Sequence, residues 1–143
     1  MLSYGADMDA NVNPYELNLG RLIDLDGDFD FVGKEALARI EAEGVQRRLC
    51  GLVIEGAPLH SGNQELWTCR RDGLDCGLVT SAIYSPRLEY NMGLALLATD
   101  AAHEDVELEV ESPQGPLPAR VVPLPFYDPK KNLATGANTG AAA

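Results

Sequence analysis

The chain has 143 residues, 45% of them hydrophobic, with a net charge of −11 and a sequence pI near 4.4. That length suits one domain plus a remnant of another, and that composition can bury a core instead of staying disordered. The acidic balance argues against a nucleic-acid backbone or an anionic membrane as partner, and no apolar run approaches the ~20 residues that span a bilayer.

The start, "MLSYGADMD", has neither a basic n-region nor an apolar h-region, so no secretory signal is expected. Residues 1–46 are strongly acidic. Asp7 and Asp9 sit two apart in a turn, where both are expected to be solvated. "NVNPYELNLG" carries turn chemistry around Asn13-Pro14, and the short apolar run "RLIDL" reads as a strand.

"DLDGDFDFVGKE" (24–35) has the carboxylate spacing of an EF-hand calcium loop. That loop needs glycine at its sixth position, where the backbone takes a positive φ. Phe29 stands there, and the glycine, Gly27, is at the fourth. The alternation of Phe29 and Phe31 with Asp28 and Asp30 predicts extended chain with the rings inward. The loop reads as an acidic turn before a helix N-terminus, and no metal site is expected. "GKEALARIEAEG" then predicts a helix with Ala36, Leu37 and Ile40 on one face and Gly44 as its C-terminal stop.

Residues 47–128 read as β-rich. Candidate strands are 47–55, 65–71, 74–84, 91–99, 106–112 and 119–126. Val106, Leu108 and Val110 alternate with Glu107, Glu109 and Glu111, which gives that strand one wet face. "RRDG" and "SPQGP" supply tight turns. The fold class is therefore mainly β, a six-stranded antiparallel barrel or jelly-roll-like domain with a minor α+β piece before it. Trp67 belongs in the core. Residues 129–143, small and polar, are expected to be a disordered tail.

Cys50, Cys69 and Cys76 are odd in number and lack C-x-x-C spacing, which predicts buried free thiols. His60 and His103 are too few for a histidine metal site. A reducing, cytoplasmic compartment fits.

Four ordered phrases carry a resemblance. "LSYGADMDANVNPYELNLG" with "DFVGKEAL" (30–37), "RRLCGLVIEGAPL", "GLVTSAIYSPRLEYNMGLALL" (77–97) and "VVPLPFYDP" resemble the aminomethyltransferase family. These are the tetrahydrofolate-dependent T-proteins of the glycine cleavage system and their relatives. The phrasing looks closer to the dimethylglycine, sarcosine and dimethylsulfoniopropionate demethylase-like branches. The resemblance implies that residues 1–46 are the C-terminal remnant of a folate-binding domain. Residues 47–128 are then the family's C-terminal β-barrel domain, closing over the folate site.

It also implies a parent one-carbon transferase that uses tetrahydrofolate and a small methylated amine or sulfonium substrate. The catalytic aspartate region of that family is not in this chain, so the fragment is expected to be inactive, with no catalytic residue and no tightly bound cofactor. Candidate folate-side residues are Tyr4, for ring packing; Arg21, where many T-proteins have tryptophan; Tyr84 and Ser85 in the "YSP" loop; and Tyr127, with Lys130 and Lys131 beyond it. Solvated or structural roles for each remain open. Torn from its sheet, segment 1–46 is expected to self-associate. The alternative is a stand-alone β-barrel binding or regulatory module without catalysis.

Overall fold

Alternating apolar side chains need a surface to bury against, and here six strands supply it to one another. The computed structural model describes residues 2–136. Its strands are β1 (Arg47–Ile54), β2 (Trp67–Arg71), β3 (Leu74–Ser85), β4 (Tyr90–Ala98), β5 (Glu107–Ser112) and β6 (Gly115–Val122). All pair antiparallel, and the order β1-β4-β3-β2-β5-β6 closes into a barrel. Closure removes the sheet edges that would otherwise template pairing with other chains. The expected six-stranded antiparallel barrel is therefore observed.

Along β5, Leu108 and Val110 are buried while Glu107 and Glu109 face solvent, as the alternation requires. The interior holds Leu52, Ile54, Cys69, Val79, Leu97 and Val110, with Trp67 beside them. Each such aliphatic side chain contributes roughly 1.5–3 kcal/mol by leaving water.

The turns follow their chemistry. Asp72 and Gly73 both take positive φ (53° and 78°) between β2 and β3, the pattern of a primed two-residue hairpin. The β3–β4 hairpin closes when Glu89 N–H donates to Ser85 O at 2.8 Å. β6 starts four residues earlier than its apolar run suggests. Pro116 and Pro118 take alternate positions in it, so the N–H groups they lack fall on one side of the strand. Gly77 sits where β3 presses on β4; a Cβ there would lie 2.2 Å from Leu96 O.

Before the barrel, α1 (Lys34–Glu43) forms as expected and stops at Gly44 (φ 79°). None of its residues is buried. "RLIDL" is not a strand. Gly20–Leu22 is a single 3-10 turn, with Leu22 N–H bonded to Leu19 O and Ile23 N–H to Gly20 O. A strand needs a neighbour for its ladder, and among the described residues none pairs with this run, so the backbone satisfies itself locally. For the same reason the aromatics of 24–35 do not turn inward: Phe29 is 86% exposed and Phe31 is also exposed. After the barrel, α2 (Asn132–Thr135) is one turn. Asp128 caps it, its carboxylate accepting from Asn132 N–H (2.7 Å) and Leu133 N–H (2.9 Å). Residues 137–143 of the expected disordered tail lie outside the described residues.

Candidate functional site

Leu49 of β1 and Leu96 of β4 pair across the ladder and point out of the barrel. Left bare they would form an apolar patch. Residues 2–19 cover them as a strap, with Leu17 seated on the pair and Leu2, Met8, Val12 and Leu19 around it. The strap is also hydrogen-bonded to β1. Leu49 N–H donates to Glu16 O at 2.7 Å, and Asn18 Nδ2 donates to Leu49 O at 2.7 Å. The Glu16 carboxylate, itself nearly buried, takes Arg47 Nε at 2.7 Å and Asn13 N–H at 2.8 Å.

Asp7 departs from expectation. It is 2% exposed, not solvated. One carboxylate oxygen accepts from Thr80 Oγ1 (2.8 Å) and Ser81 Oγ (2.5 Å), the other from Ser3 N–H (2.9 Å). Burial of a carboxylate is tolerable only with donors supplied, and this one has three. Asp9 behaves as expected, exposed and closing an Asx turn onto Asn11 N–H at 2.7 Å.

Two open cavities flank the strap. One, of about 750 Å³, runs between the strap, the β3–β4 hairpin and residues 124–126. Ile83, Met92, Leu94 and Phe126 give it an apolar lining, and Arg21 is the cation on its wall. The other, of about 1000 Å³, lies between residues 5–12 and the strands carrying Leu78 and Leu96. Asp7 and Asn63 border both.

The sequence-expected residues do not all converge. Arg21 lines the smaller cavity. Tyr4 is 77% exposed beside it, its neighbours Leu2 and Ser3 being part of the wall. Tyr84 and Ser85 lie further along β3. The Tyr84 ring leans on the barrel core, and Ser85 Oγ accepts from Leu88 N–H at 3.3 Å, closing the hairpin turn. Tyr127 is held by Arg87, whose guanidinium stacks 3.7 Å from the ring centroid and donates to its hydroxyl. Arg87 was not singled out from sequence. Its only signal is a cation in the hairpin turn, opposite an aromatic that the chain brings back 40 residues later. Asn91 was missed too. It is buried, and it pins residues 57–59 by accepting from Leu59 N–H (2.8 Å) and donating to Ala57 O (3.0 Å).

The thiols are poor nucleophiles here. Burial pushes Cys69 up to about 12, with the nearby Cys76 thiol adding to the effect. Burial also raises Cys50 and Cys76. In the acidic loop, Lys34 Nζ donates to Gly27 O (2.7 Å) and Phe29 O (3.1 Å), so an ammonium already occupies the loop's carbonyls. Among the described residues no cluster of His, Cys, Asp and Glu has metal-holding geometry.

Comparison with known proteins covers the barrel and part of the segment before it. The family model described as the glycine cleavage T-protein C-terminal barrel domain matches residues 47–128. An aminomethyltransferase of Synechococcus sp. (strain RCC307) is 43% identical over 124 residues, covering 87% of this chain and 34% of that protein. One from Geobacillus sp. (strain WCH70) is 35% identical over 126 residues, covering 87% of this chain and 33% of its own. The crystal structure of glycine cleavage system aminomethyltransferase T from Bartonella henselae superimposes with a TM-score of 0.77. Sequence identity there is 18%, over 88% of this chain and 35% of that one, a likeness of fold. The chain thus spans about a third of the length of the curated relatives it matches.

Proposed function

The chain belongs to the glycine cleavage T-protein C-terminal barrel domain family, and we propose that it is the C-terminal portion of a tetrahydrofolate-dependent one-carbon transferase. The observation that carries this reading is the extent of the match. An identity of 43% over 124 residues cannot fit within 47–143, so it takes in part of the segment before the barrel as well. The likeness to the relatives therefore extends beyond the barrel into the segment before it.

The division of labour follows from what the chain contains. Tetrahydrofolate, when bound, would supply the nitrogen that accepts the carbon. This chain's own residues contribute to the site from one side. Arg21, a cation on a trough whose wall also carries apolar side chains and the Asp7 carboxylate, suits the carboxylates at the tail of a folate. Tyr4 offers an exposed ring for stacking, and the Arg87–Tyr127 pair stiffens the segment that follows the trough's wall. Tyr84 and Ser85 shape the hairpin that closes over the site. The aminomethyl carbon is the cargo, in keeping with the shared name of relatives at 35–43% identity. A demethylase-like cargo, the methyl of a small amine or sulfonium, is the second reading. It is favoured by the phrases "SYGADMD…NPYE" and "PFYDP", whose wording looks closer to those branches.

A stand-alone barrel module accounts less well for residues 20–45. Leu22, Phe29 and Val32 are exposed there, and α1 buries nothing. An apolar surface of this kind is expected to be covered in the working protein. In the isolated chain it would drive self-association. The test is the polypeptide of the relatives' length, read from the same gene upstream of Met1. Tetrahydrofolate-dependent aminomethyl transfer by it, with Arg21→Ala raising KM for folate several-fold, supports the reading. An upstream frame without the family's catalytic aspartate region, or transfer indifferent to folate, overturns it.

A further inference from the structure

We propose that Asp7 is a positioning residue, a latch that fixes the strap to a bulge in β3 and so keeps the two flanking cavities apart. The inference does not rest on the folate reading. β3 pairs with β4 as Val79↔Ala95 and then Ser81↔Leu94, so Thr80 is an extra residue. A bulge of this kind re-aims side chains and leaves backbone groups without ladder partners. Asn63 meets them. Its Oδ1 accepts from Ala82 N–H at 2.7 Å and its Nδ2 donates to Thr80 O at 3.3 Å. Asp7 also meets the bulge, through the two adjacent hydroxyls of Thr80 and Ser81. The hydroxyls would otherwise not both face the strap, since successive strand residues point to opposite faces. The Asp7 carboxylate turns back to Ser3 N–H, so one side chain fastens both the strap's own turn and the barrel. Asp7 borders both cavities, which makes it part of the partition between them.

The latch has a chemical signature. Hydroxyls rotate, and can donate to a carboxylate or accept from an amide. Asp7→Asn therefore keeps all three contacts after the amide flips, with Oδ1 on Ser3 N–H and Nδ2 on the hydroxyls. Asp7→Ala loses all three. Hydrogen exchange of the full 143-residue chain, followed peptide by peptide, tests this. In Asp7→Ala, exchange in residues 3–9 should rise about tenfold or more, from the loss of bonds to a charged acceptor. β1 and β4 should keep their protection. Asp7→Asn should stay within about threefold of wild type over the same residues. The double variant Thr80→Val with Ser81→Ala, made from the barrel side, should release the same residues, and combining it with Asp7→Ala should add little. Three outcomes would overturn the proposal. They are unchanged exchange at residues 3–9 in Asp7→Ala, loss of protection spread equally through β3 and β4, and Asp7→Asn behaving like Asp7→Ala.

Discussion

Gly77→Ala isolates the closest approach in the barrel. A Cβ on Gly77 would lie 2.2 Å from Leu96 O and 2.8 Å from Leu97 Cα. Both are backbone atoms of β4, so no rotamer change can relieve the contact. The φ of +155° adds a backbone preference that L-residues rarely meet. Relief requires β3 and β4 to part by roughly 1 Å, which breaks the Gly77↔Leu97 and Leu78↔Leu96 pairings. Overpacking of this kind costs about 1–3 kcal/mol and the backbone strain about 1–3 more, so a loss of roughly 2–6 kcal/mol is expected. Gly73→Ala is the control. Its φ is +78°, yet no atom lies within 4 Å of the added carbon. Only the conformational cost remains, roughly 1 kcal/mol. Trp67 is the one tryptophan, and it pairs with Val79, two residues from the perturbation. Its fluorescence during urea unfolding reports the transition. At an m-value of about 1–3 kcal/mol/M the Gly77 variant should lose ~1 M or more of midpoint relative to the control. Equal midpoints for the two variants would refute the close approach of β3 and β4.

Other consequences follow from the same geometry. Cys69 has a folded pKa raised to about 12. Below the unfolded thiol's value, about 8.5, both states hold the proton and no stability depends on pH. Above it the unfolded state releases the proton first, so stability should fall as pH rises from ~9 toward 12. Cys69→Ala should flatten that limb of the pH–Tm curve; an unchanged slope would mean that other groups cause it. Residues 45–128 alone should remain soluble and melt cooperatively, because the main core lies within 50–121. They should melt below the full chain, since Leu49 and Leu96 lose their strap; a missing sigmoidal transition would contradict this. Calcium should leave the melting point unchanged, as Lys34 occupies the loop carbonyls. Calorimetric binding tighter than ~10⁻⁴ M would contradict that reading.

The barrel was legible because its signals are local. Period-two patterning in β5, the Asp72-Gly73 turn and the glycine that ends α1 each act over a few residues. What was not legible depends on partners distant in sequence. Asp7 is buried because Thr80 and Ser81 reach it, more than seventy residues later and only through a bulge. No pattern near Asp7 distinguishes it from the solvated Asp9. The "RLIDL" and Phe29–Phe31 readings failed for the converse reason. Their pattern suits a sheet, and among the described residues no strand pairs with them. Tyr84 and Ser85 illustrate a third case. The hairpin was readable, but whether its side chains face a cavity or a turn is set by strand twist and register.

The central claim is that this chain supplies one side of a folate site whose buried anchors lie elsewhere in a longer protein. Calorimetric titration with tetrahydrofolate, on the chain alone and on the polypeptide extended upstream to the relatives' length, tests it most directly. The trough here is open, and among the described residues Arg21 is the one cation on its wall, so the isolated chain should bind at millimolar strength at best, about −4 kcal/mol. The extended polypeptide should bind at least a hundredfold more tightly, about 2.7 kcal/mol more favourable, and Arg21→Ala in it should weaken binding several-fold. Micromolar binding by the chain alone, or none by the extended polypeptide, would contradict the account.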